Sequence, residues 1–387
     1  MSIFDEQIDR YNTASVKWEA TKDVFGEADL WPMWVADMDF RPPEAVMEAI
    51  KKRAEHGVYG YTYIPASTKQ AIEQWALKRH GWKIESSSML FCSGVVQAIS
   101  TAIQTFTEEG DRVLVQSPVY TPFFDMIENN KRIVVNAQLI LKGNQYRIDF
   151  AAFEDALKQG CKLFLLCSPH NPGGRVWTKA ELAKIGELCL KYNCLILSDE
   201  IHSDLVYKAY KHTPIASLSN ELAENVITCI APSKTFNIAG LQASVTIIKN
   251  KEKRERFEQT IRRQGFFSLN TFGIIAMEAA YREGEAWLED LLDYIQSNKE
   301  IAVNFLQDNL PKITCVDSEG TYLLWLDCRG LGLSDEELRR LLIQKGQLAL
   351  EPGAKYGPGG EGFVRMNIAC PKDHLIEGLN RLKTALG

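Results

Sequence analysis

Five short runs rich in apolar and β-branched residues constrain the fold of this chain more than any other feature: Arg112–Val115, Leu163–Cys167, 195–197, Val226–Ile230 and Ser244–Ile248. They are apolar almost without a break instead of alternating with polar residues, which marks strands buried on both faces. Helical patterns are interleaved with them. Helices are predicted at 67–80, Val95–Phe106 and 178–192, the last opening on Thr178-Lys179-Ala180-Glu181, a capping box. Strands that alternate with helices predict the α/β class, with a mostly parallel sheet covered on both sides in three layers. After about residue 283 the pattern changes. A helix is predicted over 285–310, a strand at 321–326, a helix near 334–344, a strand at 363–368 and a last helix. These elements make a smaller α+β domain at 284–387, beside a large domain at 46–283. Residues 1–45 are expected to join the smaller one, and no Gly/Ser-rich linker tethers the parts.

Composition excludes several classes of function. The chain has 387 residues, with 44 Lys and Arg against 50 Asp and Glu, for a formal charge of -6. A nucleic-acid binder needs a basic stripe, and the short mixed run Lys251-Glu252-Lys253-Arg254 reads instead as the solvated face of a helix. No apolar run approaches the length of a membrane span, and residues 1–10 carry acids where a signal peptide needs an apolar core. The nine cysteines are scattered, with no C-x-x-C pair, and most sit inside apolar runs. They read as buried free thiols in a reducing compartment, so the cytoplasm is the expected location.

In an open parallel sheet, ligands bind beyond the carboxyl ends of the strands. One strand after another here ends in unusual polar residues. Arg112–Val115 is followed by Ser117-Pro118-Val119-Tyr120, and Leu163–Cys167 by Ser168-Pro169-His170-Asn171-Pro172. The 195–197 run leads into Ser198-Asp199-Glu200-Ile201-His202, and Val226–Ile230 into Ala231-Pro232-Ser233-Lys234-Thr235. A lysine becomes an imine-forming nucleophile when its surroundings lower its pKa from ~10.4. A pyridoxal phosphate ring needs an anion at its pyridinium nitrogen, donors for its phosphate and an aromatic face to stack on. Asp199, ending a buried apolar run, wants a cationic partner. Gly94 with Val95 and Val96 opens a helix whose amides suit a phosphate, and Tyr120 offers the ring.

Asn171-Pro172-x-Gly174, Asp199-x-x-His202 and Ser233-Lys234-Thr235-Phe236-Asn237 resemble the signature of fold-type I PLP enzymes, in the class I/II aminotransferase family. Finer text is similar to its cystathionine β-lyase-like C–S lyase subgroup, the PatB/MalY type. That text is Trp34-Val35-Ala36-Asp37-Met38-Asp39-Phe40, Ser117 to Pro122, Ser198 to Asp204, Ala231 to Gln242, Glu351-Pro352-Gly353 and Lys355-Tyr356-Gly357. The resemblance implies that Lys234 bonds covalently to the cofactor and later moves the substrate's α-proton. It implies that Asp199 pairs with the pyridine nitrogen, that Asn171 donates to the phenolic oxygen, with His202 beside it, and that Tyr120 stacks on the ring. Ser233 and the amides at Val95 and Val96 are expected to hold the phosphate, and Arg365 the substrate's α-carboxylate. It also implies a homodimer with shared sites, in which Tyr61 reaches the phosphate of the neighbouring subunit.

Two positions depart from the broad aminotransferase pattern: His202 stands where a tyrosine is usual, and Gln242 where an arginine is common. Both departures resemble the lyase subgroup. The expected reaction is β-elimination from L-cystathionine or another S-substituted cysteine, giving thiol, pyruvate and ammonia. An aminotransferase needs the same Lys234, Asp199 and Arg365, and remains open on these residues. So does a regulatory protein that works by binding a protein partner. His202 with Asp199 and Asp204 lacks a third neutral ligand at suitable spacing, so no metal is expected. Residues 357–362 fit G-x-G-x-x-G, but they precede a strand instead of opening a helix, and read as a turn.

Overall fold

The computed structural model describes residues 2–387. Its centre is a seven-stranded sheet. In chain order the strands are β1 (Met89–Cys92), β2 (Arg112–Val115), β3 (Ile133–Asn136), β4 (Leu163–Cys167), β5 (Leu195–Asp199), β6 (Val226–Ile230) and β7 (Ser244–Ile248). Their spatial order is β1-β7-β6-β5-β4-β2-β3. The pairs from β3 across to β6 are parallel, whereas β7 runs antiparallel to both β6 and β1. The expected α/β sheet is therefore present, with one reversed strand. Continuous apolar character specifies burial on both faces and says nothing about direction, which is why that reversal is invisible in the run 244–248.

Alternation along the strands divides the core in two. Leu163, Leu165, Leu195, Leu197 and Ile227 pack on one side of the sheet with Val95, Ile99 and Phe257. Phe164, Leu166, Ile196 and Val226 pack on the other with Leu182, Ile185 and Phe153. Successive side chains point to opposite faces and both faces are covered by helices, so every position of β4 and β5 is buried. The helix Lys179–Lys191 starts with the expected capping box, Thr178 and Glu181 exchanging bonds. The run beginning at Lys251 is the exposed start of the helix Lys251–Arg263.

A second, four-stranded sheet lies in the C-terminal part, made of β8 (Thr314–Cys315), β9 (Leu323–Asp327), β10 (Glu351–Pro352) and β11 (Phe363–Asn367), in the order β8-β9-β11-β10. All its pairs are antiparallel. The strand expected from residue 321 begins at Leu323, because Thr321 lies at φ +66, in the left-handed region that an extended strand excludes. Trp31–Pro32 pairs in parallel with Leu348–Ala349, and Phe25, Leu30 and Trp34 pack on Ile343 and Ala349. All nine cysteines are free, and all but Cys315 are fully buried. Among the described residues, no helix is long and apolar enough to cross a membrane, and no cluster of His, Cys, Asp and Glu could hold a metal ion.

Candidate active site

The strand ends open into a cavity of about 510 Å3. Asp199 is the last residue of β5, and the turn after it brings His202 to the wall. The segment after β4 contributes Asn171, the segment after β2 Tyr120, and the short helix Pro232–Thr235 after β6 contributes Ser233 and Lys234. Val95 and Val96 are the first residues of the helix Val95–Phe106, so their amides have no acceptor within it. Arg365 arrives from the other sheet, on β11. Nine of the ten residues singled out from sequence thus line one cavity. The tenth, Tyr61, does not: its side chain is fully exposed at the surface. A hollow of about 550 Å3 beside Trp82 and Lys249 is slightly larger but holds none of these groups.

The turns that present these side chains are pinned from behind. Glu200 points away from the cavity. Its carboxylate takes hydrogen bonds from Ser198 Oγ at 2.8 Å and the Ile215 amide at 3.3 Å, and its Oε2 lies 2.9 Å from His212 Nε2. Asp204 accepts from Trp75 Nε1 at 3.0 Å and from Thr235 Oγ1 at 2.9 Å, and lies 2.8 Å from His80 Nε2. Thr235 adjoins Lys234, so this buried carboxylate fastens the lysine's turn to the turn that carries Asp199.

The charged groups in the cavity are strongly perturbed. Burial pushes the Asp199 carboxyl up from 3.8 to about 7, against the pull of the Ile201 amide and the Lys234 charge. Its Oδ1 accepts from that amide at 3.2 Å, and among the described residues no donor reaches its Oδ2. Burial, then the charge of Arg365, lowers Lys234 from 10.5 to about 8, with Asp37 and Asp199 opposing. Lys234 Nζ donates to the Ala36 carbonyl at 2.7 Å. His202 is held neutral, lowered to about 3 by burial and by the charges of Lys234 and Arg365. Burial, reinforced by the Asp199 charge, pushes the Tyr120 hydroxyl up to about 12. Arg365 donates from Nη1 to Asn171 Oδ1 at 3.2 Å and from Nη2 to the Trp34 carbonyl at 2.8 Å. Its Nε and His202 Nδ1 are buried without a hydrogen-bond partner among the described residues. An amine, a carboxylate and a guanidinium therefore share one cavity, each with bonding capacity left over.

Residues 33–382 match the protein family described as aminotransferase class I and II. The chain belongs to this family. It is 50% identical over 384 residues to cystathionine beta-lyase PatB of Bacillus subtilis, covering 99% of each chain. Among solved structures it is similar to cystalysin of Treponema denticola, which contains pyridoxal 5'-phosphate, with a TM-score of 0.96 and 39% identity over 99% of this chain and 98% of that one. It is likewise similar to the PLP-bound C-S lyase of Staphylococcus hominis, at a TM-score of 0.92 and 32% identity over 99% and 98%.

Several residues of this family site were missed in the sequence. The Ala36 carbonyl accepts from both Lys234 and the Tyr322 hydroxyl, the latter at 2.9 Å. A backbone acceptor leaves no side-chain signal, so no reading of residue types finds it. Asn237 explains part of the Ser233 to Asn237 motif, because its side chain bonds the Met38 amide and the Met38 and Phe40 carbonyls, holding residues 38–40. Glu351 also lines the cavity. In the sequence it stands only within the lyase-like text Glu351-Pro352-Gly353, and nothing local shows which way the carboxylate faces.

Proposed function

We propose that this protein is a PLP-dependent carbon–sulfur β-lyase, releasing thiol, pyruvate and ammonia from L-cystathionine or a related S-substituted cysteine. The observation that carries the reading is the convergence of half-buried Lys234 with buried Asp199 and Arg365 in one cavity of a chain similar end to end to a cystathionine beta-lyase. The cavity fits pyridoxal phosphate by its donor set. Asp199, buried with a free oxygen, lacks a strong cationic partner, and a pyridinium N–H is one. Asn171 Oδ1 is already taken by Arg365, which leaves its Nδ2 to donate to a phenolic oxygen. The ring of Tyr120 offers a stacking face. Ser233 and the amides at Val95 and Val96 offer phosphate donors at a helix N-terminus.

Bound, pyridoxal phosphate supplies the electron sink that makes a substrate's Cα–H acidic. The planar fork of Arg365 holds the α-carboxylate and so orients the Cα–H bond. Lys234, whose amine is lowered toward neutral pH, is the base that takes the α-proton. Asp199, kept ionised by its cationic partner, holds the ring nitrogen protonated. His202 stays uncharged and adds no competing cation. A thiolate at Cβ is a good leaving group and departs without a second substrate.

The assembly belongs to the same proposal: a two-fold homodimer in which Tyr61 completes the phosphate site of the other subunit. Support comes from exposed aromatic residues on this face, where Tyr59, Tyr61, Tyr63 and Phe267 all stand out to solvent. The division into 46–283 and 284–387, with 1–45 joined to the latter, is supported by the strand pair Trp31–Pro32 with Leu348–Ala349. We also assign the protein to the cytoplasm, with no nucleic-acid or membrane partner.

The deciding assay measures pyruvate and free thiol from L-cystathionine and S-alkyl-L-cysteines, with and without 2-oxoglutarate. Release of both products without the keto acid is the expected result. Turnover that requires 2-oxoglutarate and yields glutamate, with no thiol, makes the enzyme an aminotransferase instead.

A further inference from the structure

Glu351 and Arg365 are direct cross-strand partners in the antiparallel pair β10–β11. Residues so placed project from the same face of a sheet at close range, and both line the cavity. An arginine beside a glutamate would ordinarily pair with it. Here the Arg365 fork is committed to Asn171 Oδ1 and the Trp34 carbonyl. Glu351 Oε2 instead lies 2.9 Å from Nζ of Lys355, which is half-exposed, while Glu351 itself is 7% exposed. Among the described residues no hydrogen bond reaches Glu351 Oε1. The wall thus carries a guanidinium and then a carboxylate, and behind them, outside the lining, stands the ammonium of Lys355, which reaches solvent. A nearly buried carboxylate with a single long, flexible partner has capacity for another cation.

We infer that Glu351 and Lys355 form a second charged subsite, which receives the ammonium and carboxylate borne by the leaving thiol. The favoured substrates are then S-substituted cysteines whose thiol half ends in its own amino-acid group. The inference rests on the lyase reading above, with Arg365 taking the α-carboxylate of the reacting half. The distal ammonium pairs with Glu351 and the distal carboxylate with Lys355. Uncharged thioether substituents reach the same wall and find no partner.

The experiment uses the cofactor-loaded enzyme and four substrates: L-cystathionine, S-methyl-L-cysteine, S-(2-aminoethyl)-L-cysteine and the near-isosteric S-propyl-L-cysteine. The wild type is expected to prefer the aminoethyl to the propyl compound about tenfold in kcat/KM, which corresponds to roughly 1.4 kcal/mol. Glu351→Gln should abolish that preference and lower the cystathionine to S-methylcysteine ratio about tenfold, chiefly through KM. Lys355→Ala, a change at a half-exposed position, should lower the cystathionine ratio several-fold while retaining the aminoethyl preference. Should Glu351→Gln fail to fold, the wild-type preference and Lys355→Ala decide. The inference is overturned if the wild type treats aminoethyl and propyl alike, or if the ratios in the variants stay within twofold of wild type. Absence of pyruvate from all four substrates with the wild type overturns the lyase reading itself.

Discussion

Asp199 offers a test of the cofactor fit that does not depend on turnover. In the cofactor-free protein its carboxyl is raised from 3.8 to about 7, chiefly by burial. The folded state therefore binds one proton more than the unfolded state between those values, and stability falls as pH rises through that window. At about 1.4 kcal/mol per pKa unit, the full penalty approaches about 4 kcal/mol above pH 7. Between pH 5 and pH 8 the part that develops is about 3 kcal/mol. Asp199→Asn keeps the shape and the acceptor for the Ile201 amide but cannot ionise. Cofactor-free Asp199→Asn should therefore gain on cofactor-free wild type by about 3 kcal/mol from pH 5 to pH 8, read by urea unfolding at matched subunit concentration. With the cofactor bound, a cationic ring nitrogen pairs with the carboxylate, so the wild type should lose that pH dependence. Parallel pH profiles for the two cofactor-free proteins would falsify the buried, unpaired carboxylate. A pH dependence that persists unchanged with cofactor bound would refute the pairing.

Three further outcomes follow from the same geometry. Acylation of Lys234 in the cofactor-free protein should reach half its maximal rate near pH 8 and level off about one pH unit above that, while exposed lysines continue to gain reactivity toward 10.5; mass mapping of the modified peptide checks this, and a midpoint near 10.5 contradicts it. Arg365→Lys replaces a planar fork by a point charge and should lower kcat/KM by roughly ten- to a hundredfold, mostly through KM; an unchanged KM removes the carboxylate clamp. Inactive Tyr61→Ala and Lys234→Ala variants, unfolded and refolded together, should regenerate activity in hybrid dimers, since one of the two sites then carries both native residues. No recovery in mixtures that form dimers by sedimentation counts against the shared site.

Much of this protein was legible because its determinants are local. Apolar character without alternation marks β4 and β5 as doubly buried strands, and Thr178 with Glu181 marks a helix start through bonds made within four residues. The polar residues that follow each strand are equally local, and a parallel sheet gathers successive strand ends on one edge. Asp199, Asn171 and Lys234 are therefore gathered at one site by local sequence pattern alone. Tertiary structure alone decided the rest. The reversal of β7 is a matter of which neighbour it meets, and burial on both faces is the same in either direction. The Ala36 carbonyl joins Lys234 from 198 residues away through a backbone atom, which every residue possesses and no sequence distinguishes. Glu351 meets Arg365 through antiparallel register, and a slip of one residue would turn the carboxylate to the other face. Local chemistry thus determined which residues this chain devotes to its site, and long-range pairing determined which of them share charge, because the energies that choose between registers belong to contacts between segments far apart in the chain.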